Sequence, residues 1–345
     1  MNVITYHPDY NKYDLGVDHP LIGNKPQKIM EMLDKNGLIK EFDIVTPTVA
    51  TDEDILRVHS KSYLDQIKKL SENGGMLSID TPAPKGIYQC AALAAGGTIS
   101  CCSKTYEKKT ISVNPLGGFH HASINHSSGF CFFNDIAIGI EYLRAHYHLK
   151  KFLIIDLDVH HGNGTQDIYF RDKSVVNLSI HQDGRTLYPG TGDIKKIGDD
   201  DGIGHTINIP LPPGTGSNAY IHAFDEIVPQ ITLAFQPDII IYQSGVDTHH
   251  SDPLADLMIT YQTYYHLAKK IKQLSVSTCK KLIVLLGGGY NSTTCINAYE
   301  NIFNGLLDKS TYITEPDPFK DENMSIVKND INELKGILKP YWNIA

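Results

Sequence analysis

The run Asp156-Leu157-Asp158-Val159-His160 carries two carboxylates and an imidazole at every second position. Alternate residues of an extended strand share a face, so Asp156, Asp158 and His160 are expected on one side. Leu157 and Val159 then face the other. Charges gathered away from water need a partner, and a divalent cation supplies one. Phe152 to Ile155 is apolar enough for a strand buried on both faces. Gly162-Asn163-Gly164 behind it predicts a tight turn at the carboxyl end of that strand. Open parallel sheets keep their ligand sites there.

Three more polar stretches follow apolar runs. Gly117-Gly118-Phe119-His120-His121-Ala122 brings paired imidazoles, and Ser244-Gly245-Val246-Asp247 brings another carboxylate. Asp158, His160 and Asp247 make an O, N, O set, and a catalytic zinc takes three protein ligands with a fourth position open. Such a metal acidifies bound water and polarises a carbonyl. Leu286-Gly287-Gly288-Gly289-Tyr290 places a phenol on a glycine-rich loop, where it could donate to a developing oxyanion. His160 and His161 cannot both turn to one metal from an extended segment, so His161 is expected to be structural. His249 and His250 read as loop-edge residues, and His126, His181 and His205 have no motif partner.

The elements that must position these groups are visible as eight runs rich in β-branched residues. They are Val3–His7, Phe42–Val45, Thr110–Val113, Phe152–Asp158, Val175–His181, His205–Ile209, Ile239–Gln243 and Leu282–Leu286. Helical patterns separate most of them: Pro26–Asn36, Thr51–Glu72, Pro84–Ser103, Asn134–His148, Ser217–Phe235, Ile259–Leu274 and Thr293–Leu307. This alternation predicts an α/β fold in three αβα layers, with an eight-stranded, mostly parallel sheet. No repeat, low-complexity tract or Pro/Gly linker divides the chain. The expectation is one domain over 1–345, with a core to about residue 310 and a tail, 311–345, ending in a helix at Ile326–Leu338.

The 345 residues are 20% charged and 41% hydrophobic, with a formal net charge of -8. That charge argues against non-specific binding to nucleic acid or an anionic membrane. No apolar run approaches the ~20 residues of a membrane span. The six cysteines lack Cys-x-x-Cys spacing and read as small core residues in a reducing compartment. The start lacks the basic and apolar regions of a secretory signal. A cytoplasmic protein is expected.

Six blocks in order give the sequence a specific likeness. Gly117–Ala122, Ser128–Cys131, Asp156–Gly164, Tyr188–Gly192, Gly245–Pro253 and Gly287–Asn291 resemble the zinc-dependent histone deacetylase family, which includes acetylpolyamine amidohydrolases and acetoin-utilisation proteins. The resemblance runs from the first strand to about residue 310 and implies the arginase/deacetylase fold. By the same resemblance Asp158, His160 and Asp247 are zinc ligands, although iron(II) suits the same donors. His120 and His121 match the paired active-site histidines, and Tyr290 the tyrosine of the transition state. Asp156 matches the aspartate behind the first histidine. Asp156, Asp158, His160 and Ser179 surround a buried monovalent cation, usually potassium. Asp80 matches the rim aspartate that grips substrate amides. Gly129, Phe130, Tyr188, Leu254 and Gly288 line a narrow tunnel for an acyl-lysine stem.

The activity so implied is hydrolysis of Nε-acetyl-lysine or a related acyl-lysine in proteins or peptides. His121 would be general base and then acid, and Tyr290 the oxyanion donor. Acetylpolyamines are the alternative substrates, and a silent acyl-lysine binder is a third reading that the retained His120, His121 and Tyr290 oppose. A binuclear ureohydrolase on the same fold fails on ligand count, because Gly162 and Val246 stand where further acids would be needed. Two departures stand out. Asn163 replaces the aspartate that many relatives carry behind the second histidine, which lowers the expected pKa of His121 relative to theirs. Lys28 is the expected stand-in for an arginine that lines the acetate exit path, without its guanidinium fork.

Overall fold

The computed structural model describes residues 1–21, 23–317 and 320–344. Among them the chain forms ten strands: β1 (Asn2–Thr5), β2 (Phe42–Val45), β3 (Gly75–Ser78), β4 (Thr81–Ala83), β5 (Ile111–Asn114), β6 (Phe152–Asp156), β7 (Val175–Gln182), β8 (Thr206–Leu211), β9 (Ile239–Gln243) and β10 (Leu282–Leu285). Ten α-helices accompany them: α1 (Lys25–Lys35), α2 (Asp52–Leu56), α3 (Lys61–Asn73), α4 (Ile87–Lys108), α5 (Asp135–Tyr147), α6 (Asn163–Tyr169), α7 (Ser217–Phe235), α8 (Tyr261–Ser277), α9 (Thr294–Leu306) and α10 (Met324–Leu338).

The chain is built as two compact units. The first takes Met1–Lys150, Asn163–Ile168 and Ile283–Gly287; the second takes Lys151–Gly162, Tyr169–Leu282 and Gly288–Ala345. The eight strands of the main sheet, the number and class expected, divide four and four. In the first unit the order is β2-β1-β5-β10, with β1 parallel to β2 and β5. In the second it is β9-β6-β7-β8, with every pair parallel. All residues of β6, β7, β9 and β10 are buried. The Ile, Leu and Val that dominate β6, β9 and β10 are what strands covered on both faces require, whereas β7 mixes them with Asn177, Ser179, His181 and Gln182. Within the first unit α4 packs on α5, β1 and β5; within the second α8 packs on α7 and α9, and α10 on α7 and β8.

Four local expectations are corrected. Strand β6 ends at Asp156, and Leu157 to Gly162 is an irregular segment. Short side chains bend it there: Asp156 Oδ1 accepts from the Asp158 N–H at 3.2 Å, and Asp158 Oδ1 from the His160 N–H at 2.9 Å. Such local bonds compete with the ladder. Secondly, Gly162-Asn163-Gly164 is not a tight turn but the entry into α6. Its glycine serves close approach, since a Cβ on Gly164 would lie 2.4 Å from the Ala122 carbonyl oxygen. Thirdly, the helix expected over Thr51–Glu72 is two helices. Thr51 closes a capping box on α2, and Ser60 caps α3 by accepting from the Tyr63 N–H. Finally, the hairpin β3–β4 carries Asp80 at its tip and was not expected as strands.

Candidate active site

In the second unit three donors converge where the parallel strands end. Asp158 and His160 lie past β6 and Asp247 past β9, and each is at most 7% exposed. His160 Nδ1 stands 3.1 Å from Asp158 Oδ1 and 3.2 Å from Asp247 Oδ2. Ligands ~2.0–2.1 Å from a tetrahedral metal lie about 3.3 Å apart, so the spacing fits. The remaining carboxylate oxygens are held from behind. Asp247 Oδ1 accepts from the Val159 N–H at 2.9 Å. Asp158 Oδ2 accepts from Gln243 Nε2 at 3.0 Å and from the Gly288 N–H at 3.2 Å.

Two glycines make room for this. A Cβ on Gly245 would lie 2.3 Å from Asp158 Oδ2, and one on Gly288 would lie 2.1 Å from Asp247 Oδ2. Charge balance points the same way. Burial and the Asp158 charge push the Asp247 carboxyl up. Burial alone would lower the His160 pKa, but hydrogen bonds and charge from both aspartates raise it. The cluster therefore calls for positive charge, which a divalent cation supplies. The residues present fit a zinc or iron(II) ion.

Two aromatic rings flank His160. Tyr290 meets its ring edge-on at a centroid distance of 6.4 Å, and Tyr188 at 6.2 Å. Tyr188 is half-exposed, as a wall residue at a site's mouth would be. Gly288 closes on the carboxylates, with its carbonyl accepting from the Tyr299 hydroxyl at 2.6 Å. The Leu254 N–H donates to Asp252. Asp156 is buried and pairs in register with Ser179 across β6 and β7. The Ser179 hydroxyl lies 2.8 Å from His181 Nδ1. His161 bonds Thr191 Oγ1 at 2.7 Å and packs on His181, in keeping with a structural role.

The first unit holds the histidine pair, both buried. His121 Nδ1 lies 2.7 Å from Asn163 Oδ1, and the two Nε2 atoms lie 3.0 Å apart. An amide oxygen accepts only, so Nδ1 of His121 carries the proton and Nε2 is left to exchange one. Gly129, at φ +54°, lies against this ring, where a Cβ would stand 2.2 Å from His121 Cδ2. Phe130 also takes a positive φ of 68°. The Tyr13 hydroxyl donates to its carbonyl at 2.6 Å, and its ring meets His19 edge-on.

Asp80 is turned inward. Its carboxylate accepts from Ser78 Oγ at 2.5 Å, Thr81 Oγ1 at 2.9 Å and the Gly129 N–H at 3.0 Å. Burial pushes its pKa up, but these bonds outweigh it and hold the carboxyl below the usual range.

Two buried residues behind the histidines escaped the sequence reading. Asp135 accepts from the N–H groups of Gly118 and Phe119, and burial raises its pKa despite them. Asn134 caps α5 by accepting from the Ala137 N–H, and donates to the Ala122 carbonyl and Thr165 Oγ1. Its place just before the apolar run Ile136–Ile140 was the available signal. The buried cation of the early segment is Lys25, 6% exposed, not Lys28. Helix α1 starts at Lys25, whose Nζ donates to the Gly287 carbonyl, and Lys28 lies one turn on at the partly exposed surface.

A second three-donor group, His249, His250 and Glu315, has a structural account. His249 Nδ1 accepts from the Ser251 N–H, so Nε2 carries the proton and donates to Glu315 Oε1 at 2.8 Å. That oxygen also accepts from the Tyr261 N–H and so caps α8. His249 is therefore a buried clip and not a loop-edge residue.

Residues 19–306 match the family model described as histone deacetylase domain. The chain is 32% identical to a probable deacetylase of Archaeoglobus fulgidus, with 98% of each protein covered. It is 36% identical to the chloroplastic histone deacetylase 14 of Arabidopsis thaliana, over 92% of this chain and 81% of that one. It is 34% identical to the acetoin utilization protein AcuC of Bacillus subtilis, over 84% and 78%. Its fold superposes on the crystal structure of the HDA15 HD domain with a TM-score of 0.87 at 27% identity, covering 99% of this chain and 96% of that one.

Proposed function

Because this chain belongs to the histone deacetylase family, we propose that it hydrolyses the amide of Nε-acetyl-lysine in proteins or peptides, using zinc held by Asp158, His160 and Asp247. The observation that carries this reading is the buried O, N, O triad, with donor atoms 3.1–3.2 Å apart and backed by main-chain and amide N–H groups. Bound there, zinc or iron(II) would acidify water and polarise the substrate carbonyl. His121 takes the proton of the attacking water at Nε2, because Asn163 holds Nδ1–H. It then returns that proton to the leaving lysine amine. By the family likeness His120 would orient the water, and Asp156 is the aspartate assigned to support it. The Tyr290 phenol donates to the oxygen that gains negative charge. By the family likeness Asp80, Gly129 and Phe130 of the first unit and Tyr188, Leu254 and Gly288 of the second would contact the substrate, and Asp156, Asp158, His160 and Ser179 would hold a potassium ion.

The family match runs through segments of both units, which supports taking 1–345 as one deacetylase domain with a helical tail from 311. A cytoplasmic site of action is part of this reading, supported by the likeness to AcuC of Bacillus subtilis; among the described residues no helix is long and apolar enough to cross a membrane. Acetylpolyamines are the second substrate class. Metal content and turnover on acetyl-lysine peptides and acetylputrescine test the reading together. Expected are one zinc or iron per chain, faster turnover of the peptide, and loss of both metal and activity in Asp247→Ala. A metal-loaded protein with no amidase activity on either substrate would overturn it.

A further inference from the structure

We propose that Asp252, with Ser251 beside it, is a positioning residue that fixes the Tyr290 phenol through the main chain. The need for such a clamp is local. Tyr290 follows Gly289, which sits at φ +108° and so lies in a region where a glycine joint turns freely. A phenol that must meet a developing charge within tenths of an ångström cannot hang from a loose joint.

The second unit supplies the clamp. The Asp252 carboxylate is 7% exposed, and its Oδ2 accepts from the Tyr290 N–H at 2.7 Å. That bond fixes the plane of the peptide joining Gly289 to Tyr290. Its Oδ1 accepts from the Leu254 N–H at 3.0 Å. The next residue is tied as well, because Asn291 Nδ2 donates to the Ser251 carbonyl at 3.1 Å. Ser251 Oγ donates to Thr294 Oγ1 at the start of α9, at 3.1 Å. Residues 290, 291 and 294 are thus held by two consecutive residues of the other loop.

The clamp is itself anchored. His249 Nδ1 accepts from the Ser251 N–H at 3.2 Å, and the His249 carbonyl accepts from the Asp252 N–H at 2.8 Å. His249 in turn leans on Glu315, the cap of α8. The chemistry demands a carboxylate in particular. Two N–H donors converge on its two oxygens, and an asparagine would turn an NH₂ against one of them.

This inference rests on the oxyanion role of Tyr290, and a double-mutant cycle separates the two. Tyr290→Phe alone is expected to lower kcat by about 100-fold or more. Asp252→Asn and Asp252→Ala are expected to lower kcat about 10-fold, with KM and bound metal unchanged. Ser251→Ala should cost two- to threefold in the same direction. In the Tyr290→Phe background the same Asp252 changes should cost less than about twofold, because the group they position is gone. Hydrogen exchange of residues 287–294, followed by mass spectrometry on the same proteins, should be faster in the Asp252 and Ser251 variants. An unchanged Tyr290→Phe would sink the oxyanion role, and with it this inference, whatever the exchange shows. With Tyr290→Phe impaired, an additive cycle, a change in KM alone or unaltered exchange overturns the clamp and leaves the oxyanion role standing.

Discussion

The bond between His121 Nδ1 and Asn163 Oδ1 is the residue-scale feature with the plainest consequence. A carboxylate at 163 would stabilise the imidazolium, whereas the amide oxygen only fixes the tautomer. A base must be deprotonated to act, so raising its pKa moves the acidic limb of the rate–pH profile upward. Asn163→Asp is expected to shift the limb of kcat/KM to higher pH by roughly one unit. A limb that stays in place would remove His121 from the role of base. At this scale the convergence of Asp158, His160 and Asp247 was legible, because carboxylate and imidazole types at strand ends announce themselves. The supports were not. Asp135, Asn134 and Asp252 act on main-chain N–H and C=O groups up to dozens of residues away, and nothing in their own neighbourhood names those partners. The burial of Lys25 was not legible for a related reason, since charge alone does not distinguish it from Lys28.

Among the elements, the strand interiors were read well and their ends were not. Periodicity reports a run of Ile and Val faithfully, but the bend after Asp156 depends on which donors the aspartates choose. The same holds for Gly162 to Gly164, whose glycines suggested a turn when the chain needed closeness. Closeness is also the reason for glycine in the loop after β10. A methyl group on Gly288 would stand 2.1 Å from Asp247 Oδ2 and 2.5 Å from Asp158 Oδ2, a distance no Cβ tolerates. The loop must then lift away, and the N–H that holds Asp158 leaves with it. Gly288→Ala is expected to weaken metal binding by about 10- to 100-fold, the usual cost of losing a group that holds a ligand in place. Competition against a chelator of known affinity measures this. Affinity equal to wild type would show that the carboxylates need no help from the loop.

At the scale of the whole molecule, the eight-strand count came from composition alone, because a large parallel sheet must be apolar on both faces. Stability against pH follows from a group that the sequence gave no reason to notice. His59 is 2% exposed, and its Nε2 accepts from the Asn134 N–H at 3.0 Å while Nδ1 lies 3.3 Å from the Ile124 carbonyl. Burial lowers its pKa to about 4, against an ordinary value of 6.5, despite the opposing backbone bonds. Between these two values the unfolded chain binds the proton and the folded chain refuses it. Stability from this group is therefore complete above pH 6.5, falls as the pH drops through 6.5 towards 4, and levels off below 4. At 1.36 kcal/mol per pKa unit the difference amounts to about 3 kcal/mol. Urea unfolding of the wild type between pH 7 and pH 4 should show this loss on top of that from carboxylates. His59→Gln cannot titrate, so it should be less stable at pH 7 yet show a shallower slope over the same interval. Parallel slopes for the two proteins would mean that His59 takes up its proton while folded. The Asn134 N–H would then lose its acceptor without cost, and the seating of α5 beneath the His120–Ala122 segment would rest on the other Asn134 bonds alone.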